Sequence, residues 1–170
     1  MSRASTRAAV KAWFAPVNSV PVVTLLNSVH RAQPKTVPGT DFFITAGTQS
    51  GAVGIVDIAN ESERRIAIGG PNDGLKETTY EVLFTIWFRS TQADAEAAMD
   101  DYDSVIDSFK ARLRSDRTLG GTVFQAGEGD PQSLGGPDVH VQHEAQRLLN
   151  NGEMHKDARI RFLVIEFTHT

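Results

Sequence analysis

At 170 residues, with 40% hydrophobic and 22% charged residues, the chain has the size and composition of one globular domain with an ordinary core. The absence of cysteine excludes disulfide staples, thiolate nucleophiles and cysteine-ligated metals. The net charge of −4 conceals an asymmetry. Residues 1–40 hold Arg3, Arg7, Lys11, Arg31 and Lys35 and no acid, so a +5 segment precedes a −9 body. Such a basic head on an acidic body suits either a solvated helix face or contact with an acidic surface, including another copy of the chain.

Residues 3–15 read as a short helix that Pro16 and Asn18 end. Arg7 and Lys11 interrupt any apolar signal-peptide core, so a packed helix is the better reading than a targeting segment. Pro21 to Leu26 is too brief to divide between a strand and a helix start. Residues 30–51 contain Pro34, Pro38, Gly39, Gly47 and Gly51, the chemistry of a long loop, around the apolar patch Phe42-Phe43-Ile44. Two adjacent aromatics in such a loop either plug their own core or anchor a partner, which makes Phe42, Phe43 and Ile44 candidate interface residues beside Arg3, Arg7 and Lys11.

Ala52 to Ala59 reads as a strand, Asn60 to Glu63 as a turn, and Arg64 to Ile68 as the returning hairpin partner. Gly69 to Gly74 is loop chemistry. Thr78 to Arg89 is the clearest strand, with Tyr80, Val82, Phe84, Ile86 and Phe88 on one face at period two. Leu83, Thr85 and Trp87 make its other face partly apolar, which predicts cover on both sides.

Ser90 to Asp116 reads as a long amphipathic helix, about 91–116, capped at Ser90-Thr91 with Asp94 in its first turn. Ala95, Ala98, Met99, Tyr102, Val105, Ile106, Phe109 and Leu113 form its apolar stripe. Gly120-Gly121 supplies the backbone freedom that stops it. Thr122 to Phe124 and Val139 to Gln142 read as short strands on either side of a loop at 127–138. Leu148 to Lys156 is turn-like, with Asn151-Gly152 the turn signal, and Arg159 to Thr168 is the final strand. Strands grouped around one long helix predict a single α+β domain over 1–170, a mostly antiparallel twisted sheet flanked by the N-terminal helix and the long helix.

Motifs of catalysis are scarce. Gly47-Thr48-Gln49-Ser50-Gly51 lacks the spacing of a nucleophile elbow, and Gly69-Gly70-Pro71 lacks the lysine and hydroxyl of a phosphate loop. His140 and His143 would face opposite ways on a strand, and no acidic cluster stands at zinc spacing, so no metal or cofactor is expected. No apolar run reaches the length of a membrane span. On the long helix Asp100, Asp103 and Asp107 share one side, which is either a solvated face or an acidic wall toward a pore or a basic partner.

The helix bearing Val105-Ile106-Asp107 and Leu113, followed by Asp116-Arg117-Thr118-Leu119-Gly120-Gly121-Thr122-Val123, resembles the helix, D-x-T-L-G-G and strand segment of tail terminator proteins from long-tailed bacteriophages. The order of elements along the rest of the chain is similar too. The resemblance implies a non-enzymatic virion protein of the tail and neck, made in the cytoplasm of a host bacterium. It implies a hexameric ring that caps the tail tube, stops its growth and meets the head connector, with DNA passing through. The acidic residues Asp100, Asp103 and Asp107 would then line the lumen. The alternatives are another neck, head-completion or minor tail protein, and a small ligand-binding domain or enzyme.

Overall fold

The computed structural model describes residues 2–16, 21–43, 47–66, 74–127 and 138–169. Helix α1 spans Arg3–Phe14 and is opened by a capping box in which the Ser2 and Ser5 hydroxyls serve each other's backbone N–H. Strand β1 is Leu26–His30, followed by a 3-10 turn at Gly39–Asp41. Strands β2 (Ser50–Arg65) and β3 (Leu75–Ser90) run antiparallel. Helix α2 (Ala95–Ser115) comes next, then short strands β4 (Gln125–Ala126), β5 (Val139–His143) and β6 (Arg147–Leu148), and finally β7 (Met154–His169).

The fold is α+β. A seven-stranded mixed sheet has the order β1-β2-β3-β7, with only the β1–β2 pair parallel. Strands β4, β5 and β6 pair one after another along the outer edge of β7. Three of the sheet's strands are sixteen residues long, and this length shapes the molecule. At one end β2 leaves the core as an exposed arm from Ala59 to Arg65, whereas β7 stays buried there through Val164, Ile165 and Glu166.

Both helices lie on one face of the sheet. Tyr80, Val82, Phe84, Ile86 and Phe88 point at them and are fully buried, as the alternation of β3 predicts. Four phenylalanines from four elements close this core. Phe14 of α1 stacks on Phe109 of α2 with centroids 4.2 Å apart, Phe84 of β3 lies 4.7 Å from Phe109, and Phe162 of β7 completes the group. Burying rings of this size is the largest single contribution to stability in a domain of this kind.

Several boundaries differ from the sequence expectation, each for a physical reason. Asn60 to Glu63 is not a turn and Arg64 to Ile68 is not a returning strand: β2 runs straight through to Arg65, and its partner is β3. The polar residues are there because this end of β2 is exposed from Ala59 onward, not because the chain reverses. A bulge at Ala59 shifts the register, and cross-strand pairs hold the arm beyond it. Arg64 donates to Glu77 through two bonds of 2.8 and 2.9 Å, and Lys76 pairs with Glu63 at 2.8 Å.

Helix α2 begins later than Thr91. Thr91 instead donates its N–H and hydroxyl to the Gln49 carbonyl, and Asp94 caps the helix by accepting from the Glu96 N–H. The strand expected at Thr122 to Phe124 begins one residue after Phe124, since Thr122 and Val123 are spent closing the preceding turn on Thr118. The loops expected at Gly69 to Gly74 and 127–138 fall almost wholly outside the described residues, as does Ile44.

Candidate interaction surface

The opposite face of the sheet carries no helix among the described residues. The second cover expected for β3 is therefore partial and comes from the loop before β2, with Leu83, Thr85 and Trp87 left half-buried. Strand pairing places Leu83, Thr85 and Trp87 beside Asp57, Ile55 and Val53 of β2, the last two buried, and beside Arg161, Arg159 and Asp157 of β7, all on this face. Leu83, Thr85, Trp87 and Leu163 are half-buried, and Arg159 and Arg161 are exposed. A groove of about 270 Å³ runs across it, floored by Ile55, Leu83 and Trp87 and bordered by Gln33, Asp57 and Arg159. A second, of about 360 Å³, lies toward β5 between Glu81, Arg161, His140 and Leu163. The charges that border both grooves are partly paired, Arg161 with Glu81 at 3.6 Å and Arg159 with Glu144 at 3.4 Å.

The two ends of this face are closed differently. At one end the loop before β2 folds back over it. Phe42 is fully buried there, under the Arg89 guanidinium at 4.1 Å from its ring centroid. Its carbonyl accepts from the Asn27 amide and lies so close over Gly51 that a Cβ at Gly51 would fall 1.7 Å from the Phe42 oxygen. Only glycine lets the two backbones approach in this way. Of the two roles open to Phe42, the structure therefore assigns it the plug. Phe43 is half-buried beside it. At the other end Phe124, 58% exposed, packs edge-on against Phe167 at 4.4 Å.

The basic residues of α1 divide. Arg3 donates to the Ile58 carbonyl at 3.0 Å and approaches Glu61 at 3.7 Å, so it caps the free edge of β2 just before the bulge. Arg7 and Lys11 are half-buried on the helix flank. The acidic stripe of α2 faces outward as expected from its spacing. Asp100, Asp103 and Asp107 are all exposed, and Asp107 pairs with Lys110 at 3.1 Å.

The D-x-T-L-G-G segment is a fold-building device. The Asp116 carboxylate accepts from the Thr118 N–H at 2.8 Å, the Thr118 hydroxyl at 2.6 Å and the Gly120 N–H at 3.0 Å. These bonds, the Thr118 hydroxyl's first, hold its pKa below the ordinary carboxylate value. Leu119 is thereby kept at φ +49° and pushed into the core, where it is 2% exposed. Gly120, at φ +74°, passes beside the Trp13 ring. Trp13 in turn donates its indole N–H to the Arg112 carbonyl, while the Arg112 guanidinium lies 3.6 Å from its ring and donates to the Trp13 carbonyl. The turn thus locks the end of α2 to the end of α1.

His143 bonds the Tyr102 hydroxyl at 2.7 Å, and Tyr102 is flanked by Phe88 and Lys156. Burial, with the nearby Asp103 and Asp157 charges, pushes the phenol pKa up and keeps it neutral. Asp157 is also pushed up by burial, against the pull of Arg147 and His155. These contacts tie β5 to α2 and leave the ring of His143 occupied. His140 points the other way, as strand alternation requires, into the groove beside Glu81 and Arg161. Among the described residues no group of three or more His, Asp or Glu side chains gathers where a metal ion could be held. No helix of the described residues is long and apolar enough to cross a membrane.

The open face is hard to find from sequence because Leu83 and Trp87, read along β3 alone, have the composition of a core. The signal is present in β7, where Arg159 and Arg161 alternate with Ile160 and Phe162, the pattern of a strand with one wet face.

No protein-family model and no curated protein matches this chain. Among solved structures it is similar to the sheath/tube terminator, in its extended state, of PVC, an extracellular contractile injection system. The two share 13% identity with a TM-score of 0.29, over 96% of this chain and 57% of that one. The chain thus spans little more than half the length of that protein.

Proposed function

We propose that this protein is a subunit of a ring that ends a phage tail tube, a structural role without catalysis. The observation that carries the reading is the half-open sheet face. A strand that sets Leu83 and Trp87 opposite a finished core, between charged borders, presents the mixed apolar and polar surface of a protein interface. The end of β2 from Ala59 to Arg65, exposed throughout, adds a second surface. The resemblance to tail terminators at Val105-Ile106-Asp107, Leu113 and D-x-T-L-G-G supports the same reading, and Asp116 gives that motif a structural purpose.

In this role, subunits would associate head to tail into a closed ring, a hexamer on the resemblance to tail terminators, since a heterologous contact closes only as a ring. The open face and the arm would meet neighbouring subunits, the tube protein below and the head connector above. Asp100, Asp103 and Asp107, exposed on the outward side of α2, are the groups assigned to the DNA path, where like charge keeps DNA from adhering. Replacing Leu83 with lysine tests the reading. The subunit should fold and fail to assemble with tail tubes. Normal capping of tubes by Leu83→Lys would remove the open face from the account. Binding to the head connector and not to the tube would favour a neck protein.

A further inference from the structure

A ring requires two different surfaces of each subunit to meet, and two flanks of the sheet are complementary. On the β1 flank, α1 and the residue after β1 form a groove of about 230 Å³ lined by Ala8, Ala12, Lys11 and Arg31. Its floor is small and apolar and its only charges are positive. On the opposite flank, Gln146 lies between β5 and β6, outside β7. There α2 and Gln146 form a groove of about 410 Å³ with Ala95, Met99, Glu96 and Asp100. Its floor is apolar and its only charges are negative. Among the described residues Lys11, Arg31, Glu96 and Asp100 make no ion pair within the chain, as is also true of Arg7, Arg65, Asp103 and Arg114.

We propose that the Lys11–Arg31 flank of one subunit docks against the Glu96–Asp100 flank of a second copy. The proposal rests on the ring reading and names its contact. Three observations fix the occupant as another copy of this chain. The grooves are opposite in sign. Each has an apolar floor, of Ala8 and Ala12 in one and of Ala95 and Met99 in the other. They stand at opposite ends of the strand order, which is the placement a head-to-tail ring needs, because each subunit offers one flank and receives the other. Exposed ion pairs add little affinity one at a time, so the charges act chiefly by setting register and excluding wrong pairings, while burial of Met99 and the alanines supplies the attraction. Asp100 on this assignment meets a neighbour and not the DNA path.

Charge reversal tests it, with the assembled fraction read by native mass spectrometry and the fold of each variant checked by circular dichroism. Arg31, Glu96 and Asp100 are exposed and Lys11 is half-buried; Lys11 lies in the last turn of α1 and Glu96 in the first turn of α2, so both double variants, Lys11→Glu with Arg31→Glu and Glu96→Lys with Asp100→Lys, should fold with a slightly lowered melting temperature. Each alone should lose at least tenfold of its assembled fraction. Mixed in equal amounts, they should recover rings with an even number of subunits in which the two alternate. If each variant still assembles like the parent, this contact is wrong and the ring stands. A parent chain that stays monomeric at every concentration removes the ring, and this contact with it.

Discussion

The two faces of the central sheet are built from the same strands and end in opposite states. On the helix side every inward residue of β3 from Tyr80 to Phe88 is buried, and rings from α1, α2, β3 and β7 lock together. On the other side Leu83, Thr85 and Trp87 stop half-buried, and the charges around them reach ion pairs in place of apolar cover. The first face holds the subunit together. The second is half-covered, and on the proposed reading other chains complete it. Substitutions on the two faces should therefore separate stability from assembly.

The largest effect belongs to the closed face. Phe109→Ala removes the ring that contacts Phe14, Phe84 and Phe162 and should cost about 3–5 kcal/mol in urea unfolding, enough to unfold many domains of this size. A cost below about 1 kcal/mol would mean the four-ring cluster is not the core. Next comes Gly51→Ala, which sets a methyl group against the Phe42 carbonyl. Forcing these backbones apart should cost about 1–3 kcal/mol and open the loop around Phe42 to limited proteolysis. An unchanged cleavage pattern would deny Phe42 its role as plug.

Leu83→Lys sharpens the contrast most. Its effect on subunit stability should stay within about 1 kcal/mol, as for a half-exposed position, while assembly is lost. If stability falls as far as for Phe109→Ala, the open face is a second core and the distinction fails. Smaller still is Asp116→Ala, which releases three hydrogen bonds from the turn after α2 and should cost about 1 kcal/mol, against roughly 0.5 kcal/mol or less for Asp103→Ala on the exposed side of α2. The same carboxylate has a pH signature. Its folded pKa lies below its unfolded value, so its contribution is present above the ordinary carboxylate range and is lost as the pH falls through the folded pKa. The parent's melting temperature should drop in acid more steeply than that of Asp116→Ala; parallel curves would show that Asp116 is not the titrating group.

The helix-side face is legible in the sequence because its signals are periodic and local. Period two in Tyr80 to Phe88 marks buried residues, and so do the three- and four-residue steps along α2 except at its start, where Ala95 is exposed and Met99 half-buried. The arm is not legible. Asn60-Glu61-Ser62-Glu63 carries the composition of a turn, and only pairing with Glu81, Tyr80, Thr79 and Thr78 across the ribbon makes it a strand. Likewise Asp116 reads as a helix stop, whereas its carboxylate organises a turn that seats Leu119 and meets Trp13 about a hundred residues earlier in the chain. Of the candidate interface, the charges on α1 and α2 are visible from spacing. Leu83 and Trp87 are visible too, but whether an apolar strand face is covered depends on where the rest of the chain packs, which no local pattern records.

Electron microscopy of tail tubes incubated with the purified protein addresses the central claim most directly. A closed ring seated on one end of each tube, with no further tube growth, is the predicted result. Tubes that stay bare and keep lengthening in a molar excess of folded protein would contradict it.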